Sequence, residues 1–231
     1  MNTRNDIVET LRTLGSAERV AKSRTMYPTS MEVIGVSNPD LKTVVKELHL
    51  LMKEQDREEF ISLAEELVNS KIIECQMLAW LLLEKANLIS SISRRELKRL
   101  EGILDNWVSV DTYGVIVYGV LWRLGTVSDD EIFSLQDSND FWYRRLALVA
   151  TVSLNLRSRG GSGDTTRTLA VCERAVGDKN DMIVKALSWA LRSLIAWDRE
   201  AVSRFLNKYE QLLAGRVVKE VSHKLEYGTK N

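Results

Sequence analysis

The sequence predicts an all-α protein, a curved α-solenoid of stacked helix pairs, and three observations carry that reading. Apolar residues recur at spacings of three and four along almost the whole chain, the mark of one buried helical face. No run alternates apolar and polar residues between turn signals as a half-buried strand would, and the 231 residues include only 2 prolines. Helix pairs then repeat every 35 to 40 residues or so, the period of HEAT-like helical repeats (about 40). A single pair cannot bury its apolar face alone, so stacking is required, and stacking with a small rotation per pair gives a concave side.

The elements follow in order. The segments Asn5–Leu14 and Ala17–Ser23 read as N-terminal helices. Asn38-Pro39-Asp40 offers a cap followed by proline at the first helical position, and Asp56-Arg57-Glu58-Glu59 places acids in a first turn, where they meet the positive end of the helix dipole. Helix pairs are expected at Ile72–Ile89 with Arg94–Ile103, Trp107–Leu124 with Asp129–Leu135, Phe141–Leu156 with Thr165–Val176, and Ile183–Trp197 with Arg199–Leu213. Starts are marked by Ser93, Ser128, Asp164, Asp181 and Asp198, ends by Gly125 and Gly177, and the one flexible loop is Arg157–Asp164. The expected organisation is one domain over 1–231: N-terminal helices to 70, repeats over 71–213, and a C-terminal cap over 214–231.

Composition narrows the class. With 45% hydrophobic and 28% charged residues, the chain is that of an ordinary globular protein. Cys75 and Cys172 stand far apart among apolar neighbours with no metal-type spacing, so they read as buried free thiols, and neither metal nor cofactor is expected. His49 and His223 are isolated and are not read as ligands. The start MNTRNDIVETLRTLG has no apolar signal region, and the longest apolar run, Met77–Leu83, is too short to span a bilayer; the expected location is the cytoplasm. Formal net charge is zero, but its distribution is lopsided: Met1–Asp140 holds 16 Lys+Arg against 23 Asp+Glu, and Phe141–Asn231 holds 16 against 9. A basic C-terminal part of this kind can hold a polyanion, although uneven charging of solvated faces gives the same count.

The chemistry-bearing pattern is three tryptophans, each near a helix start, with an ionisable residue one turn away: Trp107 with Asp111, Trp142 with Arg145, and Trp189 with Lys185 and Arg192. On equivalent helices of a stacked array these side chains gather on one surface. Each has a plainer reading. Trp80, Trp122 and Trp197 sit among leucines and read as core, and Trp142 is left structural. Asp111 could cap the stretch Asp111–Leu124, Arg144 and Arg145 could form salt bridges between repeats, and Tyr27 could cover the end of the array.

Four stretches carry a resemblance: KALSWALRSL at Lys185–Leu194, FWYRRLALVA at Phe141–Ala150, NWVSVD at Asn106–Asp111, and the N-terminal region through Tyr27 to GVSNPDL at Gly35–Leu41. Taken in chain order they resemble the AlkD-type DNA alkylation-repair glycosylases, which are built of HEAT-like repeats. The resemblance runs from about Ser23 through the terminal RVVKEVSHKL. It implies an enzyme that cleaves the N-glycosidic bond of cationic alkylated purines, such as 3-methyladenine and 7-methylguanine, in double-stranded DNA. It implies that Asp111 is the catalytic carboxylate, with Trp107, Arg145 and Trp189 in the same site. Arg144, Arg145, Lys185, Arg192 and Tyr27 are the candidate DNA contacts, and a monomer is expected. The sequence departs from the family's usual pattern where Val108, not an acid, follows the first tryptophan, and in its neutral overall charge.

The residue types suit that chemistry in their own right. A purine alkylated at N3 or N7 is already cationic and leaves without a general acid. The sugar then becomes oxocarbenium-like, and one carboxylate can both stabilise that charge and orient the attacking water. Tryptophan faces attract cations, and an arginine can fix a phosphate by a bidentate contact. Two other classes stay open: a non-catalytic DNA-structure-binding protein on the same scaffold, and a protein-binding helical-repeat scaffold.

Overall fold

The structure, a computed structural model, describes residues 4–229; residues 1–3 and 230–231 of the two expected terminal segments lie outside the described residues. Among the described residues every regular element is helical, and the one β-type pairing is an isolated parallel bridge between Glu32 and Ile72. The all-α expectation holds. By contacts the chain divides into two compact units, Met1–Val117 and Tyr118–Asn231.

The first unit holds α1 (Arg4–Leu14), α2 (Ala17–Met26), α3 (Asn38–Leu51), α4 (Arg57–Val68), α5 (Ile73–Lys85), α6 (Arg94–Arg99) and α7 (Trp107–Tyr113). Helix α3 packs on α5 and α5 on α7, while α4 packs on α5 and α1 on α4. The second unit holds α8 (Gly119–Arg123), α9 (Asp129–Gln136), α10 (Phe141–Asn155), α11 (Thr165–Glu173), α12 (Asp181–Leu194), α13 (Arg199–Tyr209) and α14 (Gly215–Tyr227). There α8, α10, α12 and α14 pack in succession as one layer, and α9 and α11 pack together beside it. Alternate helices touching in sequence is the stacking that repeated helix pairs require.

Most helix starts are where the polar residues announce them. Asp56, Ser93 and Ser128 each form a capping box with Glu59, Glu96 and Glu131, satisfying two otherwise orphaned amides per helix. Asp164 and Asp198 cap α11 and α13. Two starts differ by one residue. The cap of α3 is Ser37, whose hydroxyl accepts from the Asp40 amide, so that Asn38 and Pro39 are already helical; the cap of α12 is Asn180, ahead of Asp181. The expected helix Trp107–Leu124 is interrupted by a π-helical stretch, Gly114–Tyr118, one turn after Asp111. Trp189 does not stand near a helix start: it is the ninth residue of α12, which begins at Asp181.

Helix α5 positions the first unit's loops through polar side chains that it buries. Glu74 accepts from the amides of Ile34, Gly35 and Val36; Gln76 exchanges two hydrogen bonds with the backbone of Ile103, at 2.8 and 2.9 Å; and the Trp80 indole donates to the Leu100 carbonyl at 2.7 Å. Irregular segments thus get their backbone partners from one helix, as buried amides and carbonyls must. Of the three tryptophans expected in the core, Trp80 and Trp122 are buried, but Trp197 lies at the surface. Its indole donates to the Asn155 carbonyl and its ring face carries the Arg157 guanidinium at 4.5 Å. A polar tip and a cation on the face let this ring sit half in water.

One ion pair has a pH signature. The two terminal guanidinium nitrogens of Arg57 donate to Glu96, at 2.8 and 2.9 Å, which holds α4 against the start of α6. That contact, opposed by burial and aided by Ser93, pulls the Glu96 carboxyl down from 4.5 to about 2. A carboxyl lowered in the folded state stabilises above its unfolded value, and the stabilisation is lost as pH falls towards the folded value. The melting temperature of wild type is therefore expected to exceed that of Glu96→Gln at neutral pH, and the gap to close between about pH 5 and about pH 2. A gap that stays constant over that range would show that the pair contributes nothing through ionisation.

Candidate nucleic-acid site

Helix α7 begins at Trp107 because Asn106 caps it: the buried Asn106 side chain accepts from the Ser109 amide at 2.9 Å and donates to the Ser109 hydroxyl. The cap position is therefore filled, and Asp111 lies one turn inside α7 on the face of Trp107, since residues four apart are neighbours on a helix. Trp107 and Asp111 are both half-buried. An aromatic face and a carboxylate one turn apart at a partly open surface can meet a cation together.

Tyr27 is held against the same tryptophan. The two rings meet edge to face at 86° with centroids 5.7 Å apart, and the Trp107 indole points its N–H at the Met26 carbonyl, 3.4 Å away. Tyr27, Met77, Ile103 and Val108 pack around a buried cluster of Met31, Val33 and Ile73. Val108 is thus used for packing. Burial raises the Tyr27 phenol above its ordinary value, with the Ser23 hydrogen bond opposing and the charge of Glu74 adding. The phenol is therefore neutral and a hydrogen-bond donor at physiological pH.

Two carboxylates fasten the segment between α2 and α3. Asp105 accepts from the Thr29 hydroxyl at 2.6 Å and from the Ser30 amide and hydroxyl at 2.7 Å each. Glu74 holds the next stretch, where Gly35 has φ +84 and an added Cβ would lie 2.6 Å from the Ser16 carbonyl oxygen, so only glycine fits. Neither carboxylate stands out in the sequence, because nothing in the local pattern tells a surface acid from one that clasps a distant loop. Asn106 has a local signal, a polar residue directly before a helical run, but from sequence Asp111 is the residue weighed for the cap instead.

The remaining candidates lie in the second unit. Arg145 is 5% exposed, and its guanidinium donates to the Met182 carbonyl in the first turn of α12. Arg144 bonds Asp178 at 3.2 Å and the Ser138 and Asn139 carbonyls, the bridge between repeats that its spacing allowed. Lys185, Trp189 and Arg192 share a face of α12 by their i, i+4, i+7 spacing. Lys185 pairs with Asp181 at 2.6 Å, which lowers the Asp181 carboxyl. Arg192 is largely buried beside Glu220 of α14, 3.7 Å away, and donates to the Ser188 hydroxyl. Arg216 of α14 joins both acids, at 3.0 Å to Glu220 and 3.3 Å to Asp181. Trp142 packs against Phe141 with ring planes tilted by 41° and centroids 4.5 Å apart, and Trp189 is half-buried in mid-helix.

Cys75 and Cys172 are buried free thiols, and burial pushes Cys75 up to about 11, far from the reactive thiolate range. Among the described residues, no three His, Cys, Asp or Glu side chains come together as a metal centre needs, and no helix is long and apolar enough to cross a membrane.

The sequence matches the model of a protein family described as DNA alkylation repair enzyme over residues 7–225. A solved structure described as a predicted DNA alkylation repair enzyme from Enterococcus faecalis shares the fold: the TM-score is 0.70 at 19% sequence identity, covering 92% of this chain and 97% of that one. Comparison with curated proteins finds no match. With the family match extending over nearly the whole chain, the protein belongs to the DNA alkylation repair enzyme family.

Proposed function

We propose that the protein is a monofunctional DNA glycosylase that releases cationic alkylated purines, 3-methyladenine and 7-methylguanine, from double-stranded DNA and leaves an abasic site. The observation that carries this is the pairing on α7: Trp107 at the helix start and Asp111 one turn on, with the capping duty taken by Asn106. Asp111 stabilises the oxocarbenium-like sugar and orients water; because the base is already cationic, no proton has to be supplied to it. Trp107, in edge-to-face contact with Tyr27, presents its aromatic ring to the lesion or its sugar. In the second unit, the half-buried Trp189 of α12 offers a ring to the DNA. Arg145 fixes a phosphate, and Arg144, Lys185 and Arg192 add charge.

Those cations already have partners: Asp178 for Arg144, Asp181 for Lys185, Glu220 for Arg192 and the Met182 carbonyl for Arg145. Phosphate must compete with carboxylates, so binding is expected to be modest and to weaken steeply with salt. The protein acts as a monomer in the cytoplasm, without cofactor. A second reading, a family member that binds DNA structure without catalysis, is favoured by Val108, since the residue after Trp107 faces the apolar cluster and adds no second acid. Incubation with methylated duplex DNA separates the two. Release of free 7-methylguanine or 3-methyladenine with single-turnover kinetics is expected. Binding to branched or damaged duplex at low salt with no base released points to the second reading, and no DNA binding at low salt sinks both.

A further inference from the structure

We infer that Asp105 is a positioning residue for the aromatic face of α7: its carboxylate clasps residues 29 and 30 so that Tyr27 is fixed against Trp107. This rests on the glycosylase reading for its consequence in catalysis, but its geometry stands apart from it. Asp105 lies two residues before Trp107 and receives four donors: the Thr29 hydroxyl at 2.6 Å, the Ser30 amide and hydroxyl at 2.7 Å each, and the Asn106 side-chain amide at 3.0 Å. Burial works against the charged form of this carboxyl, yet the four hydrogen bonds outweigh it and the group is held below its ordinary value. It is therefore ionised at any pH near neutrality, and its bonds are of the stronger, charge-assisted kind.

The clasp joins two stretches of chain that are far apart in sequence. Thr29 and Ser30 follow Tyr27 with only Pro28 between, and Asn106, which also donates to Asp105, is the cap that starts α7 at Trp107. The Thr29 hydroxyl is doubly used, since it also accepts from the Met31 amide at 3.1 Å and so fixes the turn that sends Met31 into the apolar cluster. The edge-to-face contact of Tyr27 on Trp107 thus has rigid attachments on both sides, and both meet at the one carboxylate. Sites that work by aligning an aromatic face lose rate when the supporting contacts loosen, even where binding persists.

The test uses the full chain labelled with 5-fluorotryptophan, with the Trp107 signal assigned by its absence in Trp107→Phe. In Asp105→Ala the Trp107 fluorine signal is expected to shift or broaden while those of Trp80 and Trp122 stay in place. Single-turnover release of 7-methylguanine is expected to slow about tenfold with DNA affinity unchanged within about twofold. Thr29→Val, which removes one donor and keeps the side-chain volume, is expected to give the same two changes at smaller size and guards against an unfolded Asp105→Ala. An unmoved Trp107 signal in both variants overturns the inference. So does a base-release rate that stays at the wild-type value although the Trp107 signal moves. If wild type itself releases no base, the glycosylase reading fails, and the fluorine spectra alone decide the clasp.

Discussion

Asp111→Asn is expected to lower single-turnover base release by about a hundred- to a thousandfold, the loss that follows removal of one well-placed charge stabiliser. Asparagine keeps the shape and most of the hydrogen-bonding capacity of aspartate and removes only the charge. The departing purine is already cationic, so the barrier that remains is charge development on the sugar, and the carboxylate acts on that barrier alone. DNA affinity is therefore expected to stay within about twofold of wild type, because the ground-state sugar carries no charge for Asp111 to attract. The measurement is base release from methylated duplex beside a binding titration and a melting curve. A fall in rate matched by a fall in melting temperature would point to a structural role in α7. An unchanged rate with normal folding would remove Asp111 from the chemistry and leave the non-catalytic reading.

The architecture was legible in the sequence because each helix has to be started and buried, and both acts leave marks. Ser93, Ser128, Asp164 and Asp198 stand where caps are needed, and α14 spans the segment its apolar spacing implies, Gly215–Tyr227. Where the reading slipped by a residue, at Ser37 and Asn180, two polar residues in a row competed for one position, and only the backbone angle distinguishes them. The π-helical stretch after Tyr113 leaves no mark in apolar spacing, since its side chains remain buried. The site was legible in part. Residues four apart on one helix, such as Trp107 and Asp111, can be placed together from sequence alone. Contacts between residues such as Thr29 and Asp105, 76 positions apart, have no local signature. Nor do the partners of Arg144 and Arg192, because a surface cation and one paired to the next repeat look alike in a string of letters.

Glu74→Ala is expected to cost about 4 kcal/mol, a large share of a typical domain's stability. The residue is 5% exposed, and its carboxylate accepts from three successive amides, Ile34, Gly35 and Val36, at 3.0, 2.6 and 3.3 Å. Alanine removes both oxygens and so leaves all three amides without their acceptor at once, and each buried amide left without a partner costs about 1 to 3 kcal/mol. It also removes an acid from the first turn of α5, where it offsets the positive end of the helix dipole. Gly35 cannot relax to avoid the loss, since its positive φ and its closeness to Ser16 fix the path of the chain there. A drop in melting temperature of about 10 °C is expected for a chain of this size. Glu74→Gln keeps one acceptor oxygen and is expected to fall between the two. Hydrogen exchange locates the effect: the amides of residues 34–36 should exchange faster in both variants, with α14 unchanged. If Glu74→Ala melts within about 3 °C of wild type, water has taken over the three amides, and the segment leading from Tyr27 to α3 is held by Asp105 and its packing instead.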